Sequence, residues 1–154
     1  MTADGHHIAQ PDPNGAGAAR AMRLALAGAD ASAADVIHIN AHATSTPQGD
    51  IAEATAIKSV LGTSVDDVAV SGTKSMTGHL LGAAGVIEAM ASVLAVHHDL
   101  VPPTINHFTD DPGLDNKLNL TFWKAQQRTV RAALSNTFGF GGHNASVVVG
   151  RLRD

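Results

Sequence analysis

Apolar residues recur at helical spacing through AGAARAMRLALA, Ala16–Ala27, and the run stops at Gly28, which predicts a helix closed by a glycine. VIHINA, Val36–Ala41, alternates apolar and polar positions as a strand does. Pro47 then breaks the chain, Asp50–Leu61 returns to helical spacing before Gly62, and Val68–Ser71 forms a short apolar strand. The longest apolar stretch follows, and its pattern predicts a helix from about His79 to His98. Pro102-Pro103 turns the chain, and Phe108–Asn119 is a loop rich in Asp, Pro and Gly. The end is strand-like, over Leu118–Phe122, Val130–Ser135 and Ala145–Gly150, with Gly139, Gly141 and Gly142 between the last two. The first fifteen residues, with two prolines, two glycines and a His-His pair, form an irregular lead-in. Helices alternating with strands before a closing hairpin predict one α/β layered domain with a mixed sheet over residues 1–154.

Composition narrows the function classes. Of the 154 residues 44% are hydrophobic and 16% charged, and the net charge of -4 comes without a basic run, so no nucleic-acid partner is expected. The absence of cysteine excludes disulfides, thiolate metal sites and any cysteine nucleophile on this chain. MTADGHHIAQPDPNG lacks the basic-then-apolar order of a signal peptide. The apolar stretch around Leu80–Val96 is cut by Glu88 and Ser92 and is poorly suited to spanning a bilayer. The expectation is a soluble cytoplasmic chain with no membrane partner.

Three stretches carry candidate chemistry. GTKSMTGHLLGAAG, 72–85, places Lys74 and His79 at the mouth of the predicted helix. It is not a phosphate loop, because Thr73 separates Gly72 from Lys74 and the upstream glycine is missing. NAHATSTPQGD, 40–50, sets His42 at the carboxyl end of a strand, where open α/β sheets bind ligands. His38 and His42, four apart on a strand, would stand roughly 13 Å apart, too far to share one metal ion. A neutral imidazole at a helix N-terminus donates readily to a developing oxyanion, which suits both His42 and His79. SNTFGFGGHNAS, 135–146, puts two phenylalanines in a glycine-rich turn, as a mobile plug over an apolar tunnel would.

Together these stretches resemble the C-terminal half of a β-ketoacyl-acyl-carrier-protein synthase of the chain-elongating type. NAHATSTPQGD is similar to the family's first histidine motif, GTKSMTGHLLGAAG to its lysine and second-histidine motif, SNTFGFGGHN to its glycine-phenylalanine gate, and VPPTIN, 101–106, is a further family phrase. The resemblance runs from about Thr2 to Arg151. It implies the thiolase-like fold, with a five-stranded mixed sheet between helices, and decarboxylative Claisen condensation of a malonyl thioester with an acyl thioester in fatty acid biosynthesis. By position His42 and His79 would be the active-site histidines that stabilise the enolate, and Lys74 the active-site lysine, partnered by Glu88. Thr44 and Thr46 would bind the phosphopantetheine arm of acyl carrier protein, and no cofactor is expected beyond that arm. Phe138 and Phe140 would line and gate the acyl pocket, Phe140 as the gate, and Asp4 and His7 resemble a loop that moves with it. In some relatives a monovalent cation sits near residues matching Asn40, Glu88, Ser135 and Asn136. The complete enzyme would be a homodimer, and the half bearing the nucleophilic cysteine would be absent here, so the isolated chain is not expected to condense.

Two positions depart from the pattern: Ala43 stands where glycine is usual, and Ala9 where a threonine is common. Three readings follow. The chain contributes its histidines to a condensing enzyme of fatty-acid or related polyketide type; it decarboxylates malonyl thioesters without condensing; or it is a carrier-protein-binding remnant. Arg20, Arg23, Lys124, Arg128 and Arg131 are available for an acidic carrier.

Overall fold

The computed structural model describes residues 1–114 and 117–152. A six-stranded mixed sheet forms the centre, in the order β1 (Thr2–Ala3), β8 (His143–Gly150), β7 (Ala132–Gly139), β2 (Val36–Asn40), β3 (Ala69–Ser71) and β5 (Asn119–Leu120). β7, β2, β3 and β5 run parallel, whereas β8 pairs antiparallel with β7 and with β1. A two-stranded ribbon, β4 (Leu100–Val101) with β6 (Gln126–Gln127), lies apart. The expected sheet had five strands. The sixth is β1, drawn from the lead-in by the pairing of Thr2 and Ala3 with Asn144 and His143. Two residues are too short for an alternating pattern to mark.

Strand alternation sorts the sheet's two faces. On one face Ile39, Val70 and Leu134 meet α1 (Ala16–Gly28) and α2 (Pro47–Leu61), with Met22 and Ile57 buried between them. On the other face Ala69 and Ala133 meet Val96 of the helix Ala84–His98. α2 begins three residues before its expected start because Pro47 occupies its first turn, where the missing N–H costs nothing.

The largest correction concerns the predicted helix from His79. The chain instead forms a short helix, α3 (Lys74–Thr77), and then Gly78 turns it with φ +74. His79 and Leu80 are irregular, Leu81 has φ +53, and Leu81–Ala83 is a 3-10 turn leading into α4 (Ala84–His98). His79 therefore stands in an elbow between helices rather than at a helix N-terminus.

Leu81–His98 is long and apolar enough to cross a membrane by length and composition, with a mean hydropathy of 1.3. Its α-helical part has 15 residues, about 22 Å against the roughly 30 Å of a hydrocarbon core. Its buried residues include Glu88 and Ser92, and it packs on β7, β8 and β2 as a domain helix does.

Candidate active site

Beyond the end of β2 the chain reaches His42, whose ring meets two others. His79 stands edge-on to it, with centroids 5.7 Å apart and planes at 87°, and Phe138 lies 5.6 Å away at 58°. Burial, with the charge of Lys74 and the nearby His79 adding to it, lowers the His42 pKa to about 3. The ring is therefore neutral at physiological pH. His79 is exposed, and its Nδ1 accepts the Leu81 N–H at 3.2 Å. That bond leaves the proton of the neutral ring on Nε2, a donor free for a ligand. The left-handed Leu81 that breaks the predicted helix is thus what fixes the His79 tautomer.

Lys74, the first residue of α3, is buried, and its Nζ pairs with Oε1 of Glu88 on α4. Burial pushes the Glu88 carboxyl up, and the Lys74 ammonium opposes that shift. The structure thus brings together His42, Lys74, His79 and Glu88 from three separate segments. The VPPTIN loop holds α3 in place. Thr104 Oγ1 accepts the Gly72 N–H at 2.8 Å, Ser75 Oγ accepts the Ile105 N–H at 3.0 Å, and the Asn106 amide donates to Ser75 O.

A cavity of about 530 Å³ opens beside these groups, lined in part by Thr44, Thr46, Lys74, His79, Asn106 and Leu120. The Thr44 and Thr46 hydroxyls lie 3.2 Å apart on its wall. Gly49 lies beneath them, and a Cβ there would stand 2.4 Å from Thr46 Oγ1 and displace that hydroxyl. Phe138 packs against His42, whereas Phe140 is 83% exposed at the hairpin tip. Of the two phenylalanines, Phe138 is the one that meets His42. Asp4 is tied to the same hairpin: it accepts from the Asn144 amide at 2.6 Å, and its own N–H donates to Gly142 O at 2.9 Å. His7 stays within its loop, its Nδ1 accepting the Ala9 and Gln10 N–H groups.

The cation set does not converge through its side chains. The Asn40 amide bonds the Thr73 hydroxyl and Glu88 O on the α4 face, and Glu88 Oε2 is buried without a partner. Asn136, one residue past Ser135 on β7, points to the opposite face and bonds Glu53. Successive strand residues face opposite ways, so this side-chain set does not fit one ion. The basic residues are dispersed as well: Arg20 and Arg23 lie on α1, while Arg128 and Arg131 flank a second cavity by the start of β2.

Sequence reasoning missed Glu53. It is buried on α2, accepts the N–H groups of His42 and Ala43, and takes a third donor from Asn136. The available signal was a glutamate four residues before Ile57, on the apolar face of a predicted helix.

The sequence matches the family described as Beta-ketoacyl synthase, C-terminal domain, over residues 1–108. The chain belongs to this family. Among curated β-ketoacyl synthases it is 50% identical over 149 residues to a 3-oxoacyl-(acyl-carrier-protein) synthase 2 of Synechocystis, covering 96% of this chain and 35% of the relative. It is 46% identical over 150 residues to the mitochondrial synthase of Arabidopsis thaliana, covering 96% of this chain and 32% of that one. The chain thus spans about a third of the length of the curated relatives it matches. Those alignments extend past residue 108 to include the glycine-phenylalanine hairpin.

Solved ketosynthases share the fold. A β-ketoacyl synthase from Burkholderia phymatum superposes with a TM-score of 0.89 at 36% identity, over 98% of this chain and 36% of that one. A type II polyketide ketosynthase, solved in complex with its acyl-carrier protein, gives a TM-score of 0.92 at 35% identity, over 98% and 36% respectively. The fold is the thiolase-like α/β fold of these synthases.

Proposed function

We propose that this chain supplies the decarboxylating half-site of a 3-oxoacyl-(acyl-carrier-protein) synthase acting in fatty acid biosynthesis. The observation that carries the reading is the pair of imidazoles, His42 and His79, set edge to face at 5.7 Å beside the buried Lys74–Glu88 pair. When a malonyl thioester loses carbon dioxide, the electron pair of the broken C–C bond moves onto the thioester carbonyl, and negative charge develops on its oxygen. His79 Nε2–H and the neutral His42 ring donate there without first giving up a charge. A preorganised donor of this kind is typically worth about 3–4 kcal/mol. The enolate carbon then attacks an acyl thioester, whose sulfur leaves as thiolate. Burial keeps His42 unprotonated, and the Lys74 charge beside it adds to that effect.

Thr44 and Thr46 receive the amide groups of a phosphopantetheine arm, with acyl carrier protein as the partner that delivers it, a reading supported by their position on the cavity wall. Phe138 lines the site and Phe140 is its gate. The acyl-accepting cysteine comes from outside this chain, which has none. Fatty-acid elongation is the favoured pathway because the curated relatives at 46% and 50% identity are 3-oxoacyl-(acyl-carrier-protein) synthases.

The test supplies malonyl-carrier protein to the purified chain, with and without a cysteine-bearing N-terminal half, and measures carbon dioxide and ketoacyl product. Carbon dioxide is expected from the chain, and ketoacyl product only in the mixture. His42→Ala and His79→Ala should each lower decarboxylation at least 100-fold; full activity in either variant would defeat the assignment. Product from the chain alone would refute an external nucleophile, and no carbon dioxide under either condition would leave a carrier-binding role.

A further inference from the structure

Condensation as outlined uses two imidazoles and a lysine, and leaves one buried carboxylate without a part. Glu53 lies on the face of α2 that meets the sheet and is 4% exposed. Its Oε1 accepts the His42 N–H at 2.9 Å and the Asn136 amide at 3.0 Å, and its Oε2 accepts the Ala43 N–H at 2.9 Å. Two consecutive backbone N–H groups aimed at one carboxylate require a chain that has left the extended conformation, and Ala43 has φ +36, with Ser45 at φ +62. Residues with a side chain hold such angles only where their surroundings impose them.

We propose that Glu53 is the positioning residue for His42: its carboxylate clamps the left-handed turn at Ala43 and thereby fixes the direction in which the imidazole leaves the strand end. The role rests on the reading of His42 as an enolate donor. The clamp needs a carboxylate and not an amide, because all three of its partners donate. Two of those partners are backbone N–H groups, which can only donate, and the third is Nδ2 of Asn136, whose own Oδ1 accepts the Ser146 hydroxyl at 2.8 Å. A glutamine at position 53 would set its own N–H groups against one of these donors.

Hydrogen exchange of the purified chain tests the clamp without a variant. The His42 and Ala43 amides lie outside any strand or helix, yet should be protected at least 100-fold over free peptide rates. Exchange at free rates would overturn the proposal. In Glu53→Gln those two amides should exchange at least 10-fold faster while β2 and α2 keep their protection. With the cysteine-bearing half added, kcat for malonyl-carrier protein should fall at least 10-fold while KM stays within twofold. Uniform loss of protection through β2 and α2 would make Glu53 a general stabiliser and sink the positioning role; unchanged exchange and kcat would do the same. If the wild-type chain releases no carbon dioxide, the functional reading falls, and the exchange comparison still decides whether Glu53 holds the turn.

Discussion

Ala43 stands where the family pattern has glycine, in a backbone conformation that favours glycine, with φ +36. A left-handed L-residue costs about 1–2 kcal/mol, whereas glycine gives back about 0.5–1 kcal/mol through its freer unfolded chain. Ala43→Gly should therefore leave stability unchanged or raise it by no more than about 1.5 kcal/mol. Its neighbour tells more. A Cβ built on Gly72 would stand 2.9 Å from the Ala43 Cβ, with its next contacts at 3.9 Å. Gly72→Ala should cost about 1–3 kcal/mol through overpacking, and at least about 1 kcal/mol less when Ala43→Gly is present. Urea unfolding of the four proteins measures this coupling, and strict additivity would refute the contact as the cause. His38 offers a pH test of the core. Burial lowers its pKa to about 4, against a weaker raising effect of the Ala69 carbonyl, and its Nε2 has no partner. Between pH 6.5 and 4 the unfolded chain binds a proton that the folded chain refuses. The His38 contribution is thus complete above pH 6.5 and is lost as pH falls toward 4, at up to about 1.4 kcal/mol per pH unit. Glu53 and Glu88, whose pKa values are raised, act in the opposite sense. Subtracting the stability profile of His38→Leu from that of wild type isolates the histidine; a difference that stays flat with pH would contradict this account.

Between elements, the Lys74–Glu88 pair ties α3 to α4 across the elbow that holds His79. Removing one partner strands a buried charge, so Lys74→Met should destabilise the chain by about 3–5 kcal/mol. Replacing both, as K74M with E88L, should cost less than K74M alone, because no carboxylate is then left unpaired. Guanidinium unfolding of the single and double variants checks this, and a double variant worse than K74M would refute it. The elbow also marks where the sequence stopped being legible. The motifs name His42, Lys74, His79 and Glu88 together, and the structure brings the four side chains close to one another past the carboxyl ends of β2 and β3. GHLLGAAG, however, reads as unbroken helix: nothing in its residue types reveals that Leu81 takes φ +53 or that its N–H turns back to His79. The spacing that sets glutamates into apolar faces was visible for Glu53 and Glu88 alike. Only the three-dimensional return of α2 onto the strand end shows what Glu53 holds. The resemblance names Ser135 and Asn136 together for a cation, and the pleat of β7 turns their two side chains to opposite faces.

The whole molecule is a sheet covered by α1 and α2 on one face and by α4 on the other, yet α4 is built the wrong way round for a helix facing water. Its polar Glu88 and Ser92 are buried, while Val86, Met90, Val93 and Leu94 are exposed. These four recur at i, i+4, i+7 and i+8, the spacing of a single apolar stripe. Scattered exposed apolar residues are ordinary, but a contiguous stripe marks a surface that another chain segment covers. The chain spans only 35% of its Synechocystis relative, so in a protein of that length much more chain is available to cover the stripe. Alone, the chain should bury the stripe against itself. Light scattering on a size-exclusion column should give a mass above the 15.7 kDa of a single chain, rising with concentration. Met90→Glu with Leu94→Lys places two charges on the stripe and should shift the population toward monomer. Both side chains are exposed, so thermal unfolding should move by no more than a few degrees. A wild-type chain that elutes as a stable monomer at all concentrations would mean that water alone satisfies α4, and the case for a covering segment would fail with it.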